Sequence, residues 1–118
     1  MLLIEDDQAL TTVMRQILEG RGHEVLAADD GSRGIAAAQR RAPDVIILDL
    51  MMPFMDGFAV LDALHQDART ADVPVAVVSA LQPESVEERC YRMGAKQYFR
   101  KPFDPGILIG ALEELAEG

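Results

Sequence analysis

Five times along this chain a short apolar run is followed by a stretch whose apolar residues recur at helical spacing. MLLI precedes Leu10, Val13, Met14, Ile17 and Leu18, which fall at i, i+3, i+4, i+7 and i+8, the pattern of an amphipathic helix that Gly20 and Gly22 end. EVLAA is a second strand, and Asp30 then caps an Ala-rich helix that stops before Pro43. VIILDL is the third and most apolar strand, and a helix follows from Gly57 through Phe58, Leu61 and Leu64. VPVAVVS is the fourth strand. The fourth helix shows only a thin stripe of Val86, Cys90 and Met93 before Gly94. QYFR is the fifth strand, and Leu108, Leu112 and Leu115 put one face of a last helix on the core. Strands separated by helices imply βαβ units with right-handed crossovers, hence a parallel sheet covered on both faces.

That architecture fixes where function lies. Open α/β sheets bind ligands beyond the carboxyl ends of their strands, where strand order reverses. Glu5-Asp6-Asp7 follow strand one, Asp49 ends strand three, Ser79 ends strand four and Lys101 follows strand five. Four strand ends therefore converge on one polar site. Gathered carboxylates repel one another unless a cation neutralises them, and oxygen ligands beside a phosphate favour Mg²⁺. Aspartate is an established nucleophile toward phosphoryl groups, whose oxygens then need compensation. In this reading Asp49 attacks, Lys101 and Ser79 hold the oxygens, and the acidic residues hold the metal.

Composition narrows the class of partner. The 118 residues suit one domain, 1–118, with 49% apolar and 26% charged residues, ordinary values for a globular chain. A net charge of −9 argues against nucleic acid or an anionic membrane as a partner of this chain itself. The lone Cys90 excludes an internal disulfide, and with only His23 and His65 beside it a Cys/His zinc site is not credible. No apolar run approaches the roughly 20 residues of a membrane span. A cytoplasmic protein is the expectation.

The pieces LLIEDD, PDVIILDLMMPFMDG, VPVAVVSA and GAKQYFRKPF, with Ser79 thirty and Lys101 fifty-two residues after Asp49, resemble the receiver domain of two-component response regulators over nearly the full length. The resemblance implies a flavodoxin-like three-layer sandwich whose five-stranded parallel sheet runs 2-1-3-4-5 with five helices. It implies that Asp49 is the phosphoacceptor and that Glu5, Asp6, Asp49 and the backbone carbonyl of Met51 bind Mg²⁺. It makes Ser79 the switch hydroxyl, Tyr98 the switch aromatic, Lys101 the lysine of the motif, and the Lys101–Pro102 bond cis. The implied function is a phosphorelay switch with weak catalysis of its own, not an enzyme. Its implied partners are a histidine kinase or phosphotransfer protein and a downstream effector or output domain, with the receiver a monomer or a phosphorylation-dependent dimer.

Blander roles stand beside each assignment. Glu5-Asp6-Asp7 suit a helix cap, and Asp7 is expected to act as one. Singly, Asp49 reads as a hydrogen-bonded strand end, Ser79 as a satisfied hydroxyl and Lys101 as a surface lysine. Met51, Met52 and Met55 read as gap-fillers, Cys90 as structural and both histidines as solvated. Gly34 and Gly110 sit inside helices at a cost of about 1 kcal/mol each, without a reason in the sequence. Among rival functions, a haloacid-dehalogenase-type phosphatase needs a second aspartate where Met51 stands. A flavodoxin-like electron carrier needs a Ser/Thr-rich phosphate loop after strand one, where this chain has acids. A receiver-like scaffold that takes no phosphate remains as the alternative.

Overall fold

The computed structural model describes residues 1–52, 55–81 and 84–118. In chain order the elements are β1 Leu2–Ile4, α1 Gln8–Gly20, β2 Leu26–Ala28, α2 Gly31–Arg40, β3 Ile46–Asp49, β4 Met51–Met52, β5 Met55–Asp56, α3 Gly57–Gln66, β6 Val75–Ser79, α4 Glu84–Arg92, β7 Gln97–Arg100 and α5 Pro105–Glu117. The main sheet is parallel and ordered β2-β1-β3-β6-β7. Counting only its own strands, this is the expected 2-1-3-4-5. The difference is a hairpin in which Met51 pairs with Asp56 and Met52 with Met55. Strands of two residues leave no alternation for a sequence reading to detect. Pro53 and Phe54 of the motif lie outside the described residues, as do Gln82 and Pro83 ahead of α4.

Strand parity divides the core in two. Leu2, Ile4, Ile46, Leu48, Val75 and Val77 face Ala38 of α2, Val60, Leu61 and Leu64 of α3, and Cys90 of α4. Leu3, Ile47, Ala76 and Val78 face Met14 and Leu18 of α1 and Leu108, Ile109 and Leu112 of α5. Because β3 is buried on both sides, every residue from Val45 to Leu50 is buried, which is why its sequence reads as one apolar run.

Asparates Asp7, Asp30, Asp56 and Asp104 cap α1, α2, α3 and α5, each accepting a backbone N–H from the first turn. Part of the acidic composition is thus capping chemistry. Gly34 has its reason in packing. A Cβ there would come within 2.7 Å of Ile4 Cγ1, so α2 lies on β1 only because the side chain is missing. Gly110 meets nothing within 4 Å, and nothing in the structure explains it. The Lys101–Pro102 bond is cis. Cys90 is buried, and burial pushes its thiol up to about 11, so it is unreactive packing material. Helix α4 buries Cys90 alone, and Arg89 stacks over the Phe58 ring at 3.9 Å. No helix among the described residues is long and apolar enough to cross a membrane.

His23 departs from expectation. It is half-buried, and its Nε2 lies 2.8 Å from Glu113 Oε2, while Arg21 reaches the same carboxylate at 2.6 Å. This cluster ties the end of α1 to α5. Arg21 first, then His23, hold the Glu113 carboxyl down at about 2. A carboxyl depressed in the fold stabilises it above its unfolded value, and that contribution disappears as pH falls toward the folded one. Urea unfolding of wild type and Glu113→Gln is therefore expected to differ most near neutrality and to converge between about pH 4 and pH 2. A gap that stays constant over that range would contradict the assignment.

Candidate functional site

Parity also sorts the polar residues at the carboxyl ends of the strands. Continuing β1, β3 and β7 outward puts Glu5, Asp49 and Lys101 on the side of Leu3, Ile47 and Phe99, whereas Ser79 shares the side of Val77 and Tyr98. The ladder continues past the strand ends, since Glu5 N–H donates to Ala28 and Lys101 N–H to Ser79.

The first group forms an ionic pocket. Lys101 Nζ stands 2.8 Å from Glu5 Oε1 and 3.4 Å from Asp49 Oδ2. Glu5 and Asp49 are almost wholly buried, 1% and 3% exposed. One oxygen each from Glu5, Asp6 and Asp49 lies within 4.8 Å of the others, a donor set that could hold a metal ion. Glu5 Oε2 accepts the N–H groups of Asp6 and Asp7, at 3.1 and 3.4 Å. Met51 N–H donates to Asp49 Oδ1 at 3.0 Å, which leaves Oδ2 as the oxygen facing the lysine.

Three carboxylates around one ammonium leave an excess of negative charge. Burial, and then the neighbouring Asp49, raise the Glu5 carboxyl above its ordinary value, with Lys101 pulling the other way. Burial works against the Lys101 ammonium, but its bond to Glu5 and the charge of Asp49 outweigh that, and its pKa is raised. A hard divalent cation with oxygen ligands fits such a pocket.

The second group meets at one residue that the sequence did not single out. Ser79 Oγ accepts the N–H of Leu81 at 2.9 Å, and Tyr98 OH donates to the Leu81 carbonyl at 3.3 Å. Among the described residues Ser79 makes no bond to the charged groups. Backbone contacts carry no residue signature, so nothing in the sequence marks Leu81. The Tyr98 ring is already inside, 9% exposed and packed in the α2–α3–α4 half of the core.

With this fold and site in place, the likeness to known proteins is direct. Residues 1–113 match the response regulator receiver domain model, and the chain belongs to that family. It is 42% identical over 114 residues to the DNA-binding dual master transcriptional regulator RpaA of Synechocystis, covering 97% of this chain and 47% of RpaA. Against Protein PilH of Pseudomonas aeruginosa it is 32% identical over 117 residues, covering 99% and 97%. The chain thus spans about half the length of RpaA and nearly all of PilH. Among solved structures, the Francisella response regulator 1452 receiver domain superposes with TM-score 0.91 at 28% identity over 98% of this chain and 94% of that one. The receiver domain of the sensor histidine kinase PA1611 from P. aeruginosa, which has magnesium coordinated in its active site cleft, gives 0.86 at 28% over 99% and 96%. Receiver domains are signalling switches rather than enzymes in the ordinary sense, working with histidine kinases and effector domains.

Proposed function

We propose that Asp49 accepts a phosphoryl group from a phosphohistidine donor on a histidine kinase or phosphotransfer protein. The placement of Asp49 carries this reading: a buried carboxylate at a strand end, with one oxygen held by backbone and the other toward Lys101. The carboxylate oxygen forms the new P–O bond as the donor P–N bond breaks and imidazole leaves with its electron pair. Glu5, Asp6, Asp49 and the Met51 carbonyl would hold Mg²⁺, which when bound neutralises charge on the phosphoryl oxygens. Lys101 serves the same end and exchanges part of its attraction to Glu5 for the incoming oxygens. Acetyl phosphate with Mg²⁺ is expected to add one phosphoryl group, read by intact-protein mass spectrometry. An unchanged mass would overturn the reading.

The metal assignment has a thermodynamic signature. A carboxyl raised in the fold, as Glu5 is, costs stability as pH rises through its folded value, and a bound cation removes that cost. Millimolar Mg²⁺ is expected to stabilise the wild type by about 2 kcal/mol, more at about pH 8 than at pH 5, and Asp6→Asn by much less. Thermal unfolding across a Mg²⁺ series checks it. A midpoint that ignores Mg²⁺ would remove the metal from the account.

For output we propose that a phosphoryl group on Asp49 draws the Ser79 hydroxyl away from Leu81 N–H. Because Tyr98 bonds the same residue, the loop into α4 and the Tyr98 side chain respond together. The partner then reads the face of α4, β7 and α5, while α1 meets the kinase. Since Tyr98 begins inside the core, the expected change is in the loop and α4 rather than an inward swing of the ring. Amide hydrogen exchange with and without beryllofluoride, a phosphoryl mimic, should change across residues 84–100. Changes confined to the loops around Asp49 would leave the output face without support.

A further inference from the structure

Between α1 and α2, above the edge strand β2, lies a cavity of about 580 Å³. Its size is that of a small-molecule site, and three observations give it a chemistry. First, the floor on the α1 side is closed, since Thr11 lines it and is 5% exposed.

Second, Arg15 of α1 and Arg40 of α2 line the same cavity without a carboxylate partner among the described residues. Among the described residues Arg15 donates to the Val25 carbonyl, at 3.3 Å. In a chain with 20 acids against 11 basic residues, two guanidiniums left without acids on one cavity run against the composition. Third, the two acids on its wall are already engaged. Glu5 is paired with Lys101 at 2.8 Å, and Asp29 with Arg33 at 3.0 Å. Negative charge is left in excess only at the end that Glu5 shares with Asp49, so the far end of the cavity takes its field from Arg15 and Arg40. Both stand about two turns along their helices from the end that borders Glu5. Ala27, Ala28, Ala36 and Ala37 give the cavity an apolar lining free of large side chains.

We propose that this groove binds a small organic phosphate. Arg15 and Arg40 clamp the phosphoryl oxygens, as planar guanidiniums do from two sides. The Gln8 amide hydrogen-bonds the body of the ligand, whose flat or apolar part lies on the alanines. The site is separate from the Asp49 pocket in its ligand set and needs no metal.

The test is an NMR titration of the full chain in Mg²⁺-free buffer, following backbone amides and arginine Nε–Hε groups, with adenosine 5′-monophosphate as probe. Saturable shifts are expected at Thr11, Arg15 and Arg40, with inorganic phosphate competing and adenosine binding about tenfold or more weakly. The double variant Arg15→Gln/Arg40→Gln should bind the nucleotide at least about tenfold more weakly while retaining the wild-type spectrum elsewhere. Absence of saturable shifts in the millimolar range would overturn the proposal. So would shifts that persist in the double variant, or that cluster around Asp49 and Lys101 instead.

Discussion

Asp49→Asn is expected to leave the protein unlabelled under conditions that phosphorylate the wild type. The substitution keeps the volume and the Met51 N–H bond, because an amide oxygen accepts as a carboxylate does, but it removes the charge and the nucleophilic oxygen. The fold is expected to tolerate it. Asp49 is one of three crowded carboxylates and one cause of the raised Glu5 pKa, so neutralising it relieves repulsion. Without Mg²⁺ the variant should unfold at or above the wild-type midpoint. Loss of labelling in a well-folded variant separates chemistry from structure, whereas equal labelling of the two proteins would move the acceptor elsewhere.

Gly57→Ala is expected to cost about 3 kcal/mol in urea unfolding. A Cβ at this position would meet the backbone of Leu50, its carbonyl oxygen at 2.7 Å and its carbonyl carbon at 2.8 Å. Backbone cannot rotate aside as a side-chain tip can. The same contact carries the bond from Gly57 N–H to the Leu50 carbonyl at 3.2 Å, where α3 starts directly behind Asp49. Gly110→Ala provides the contrast. It lies in α5 with open space around it and should gain about 0.5–1 kcal/mol from helix propensity alone. If both substitutions behaved alike, the close packing of α3 on Leu50 would be in doubt.

The parts of this molecule that sequence revealed are those with a period. The five strands of the sheet and their helices follow from alternation and helical spacing; strand ends bring Glu5, Asp49 and Lys101 together as that spacing implies, but Ser79, expected in the same pocket, lies on the other side of the sheet. The β4–β5 hairpin has no period to read. Gly34 and Gly57 answer to contacts with Ile4 and Leu50, residues distant in sequence or hidden in a turn. His23 reads as solvated in the sequence because its partner Glu113 is 90 positions away. The link from Ser79 to Tyr98 runs through the backbone of Leu81, whose identity contributes nothing to it. Residue type predicts chemistry at a site well. It predicts poorly where main chain does the connecting.

The proposed switch depends on an acyl phosphate at one named residue, and reductive trapping addresses that directly. Borohydride reduces an aspartyl phosphate to the alcohol, turning the acceptor into homoserine, which peptide mass spectrometry locates. After treatment of the wild type with acetyl phosphate and Mg²⁺, homoserine is expected at position 49 and at no other aspartate. Homoserine at Asp6, Asp7 or another carboxylate, or none in a protein that carries the added mass, would contradict the central claim.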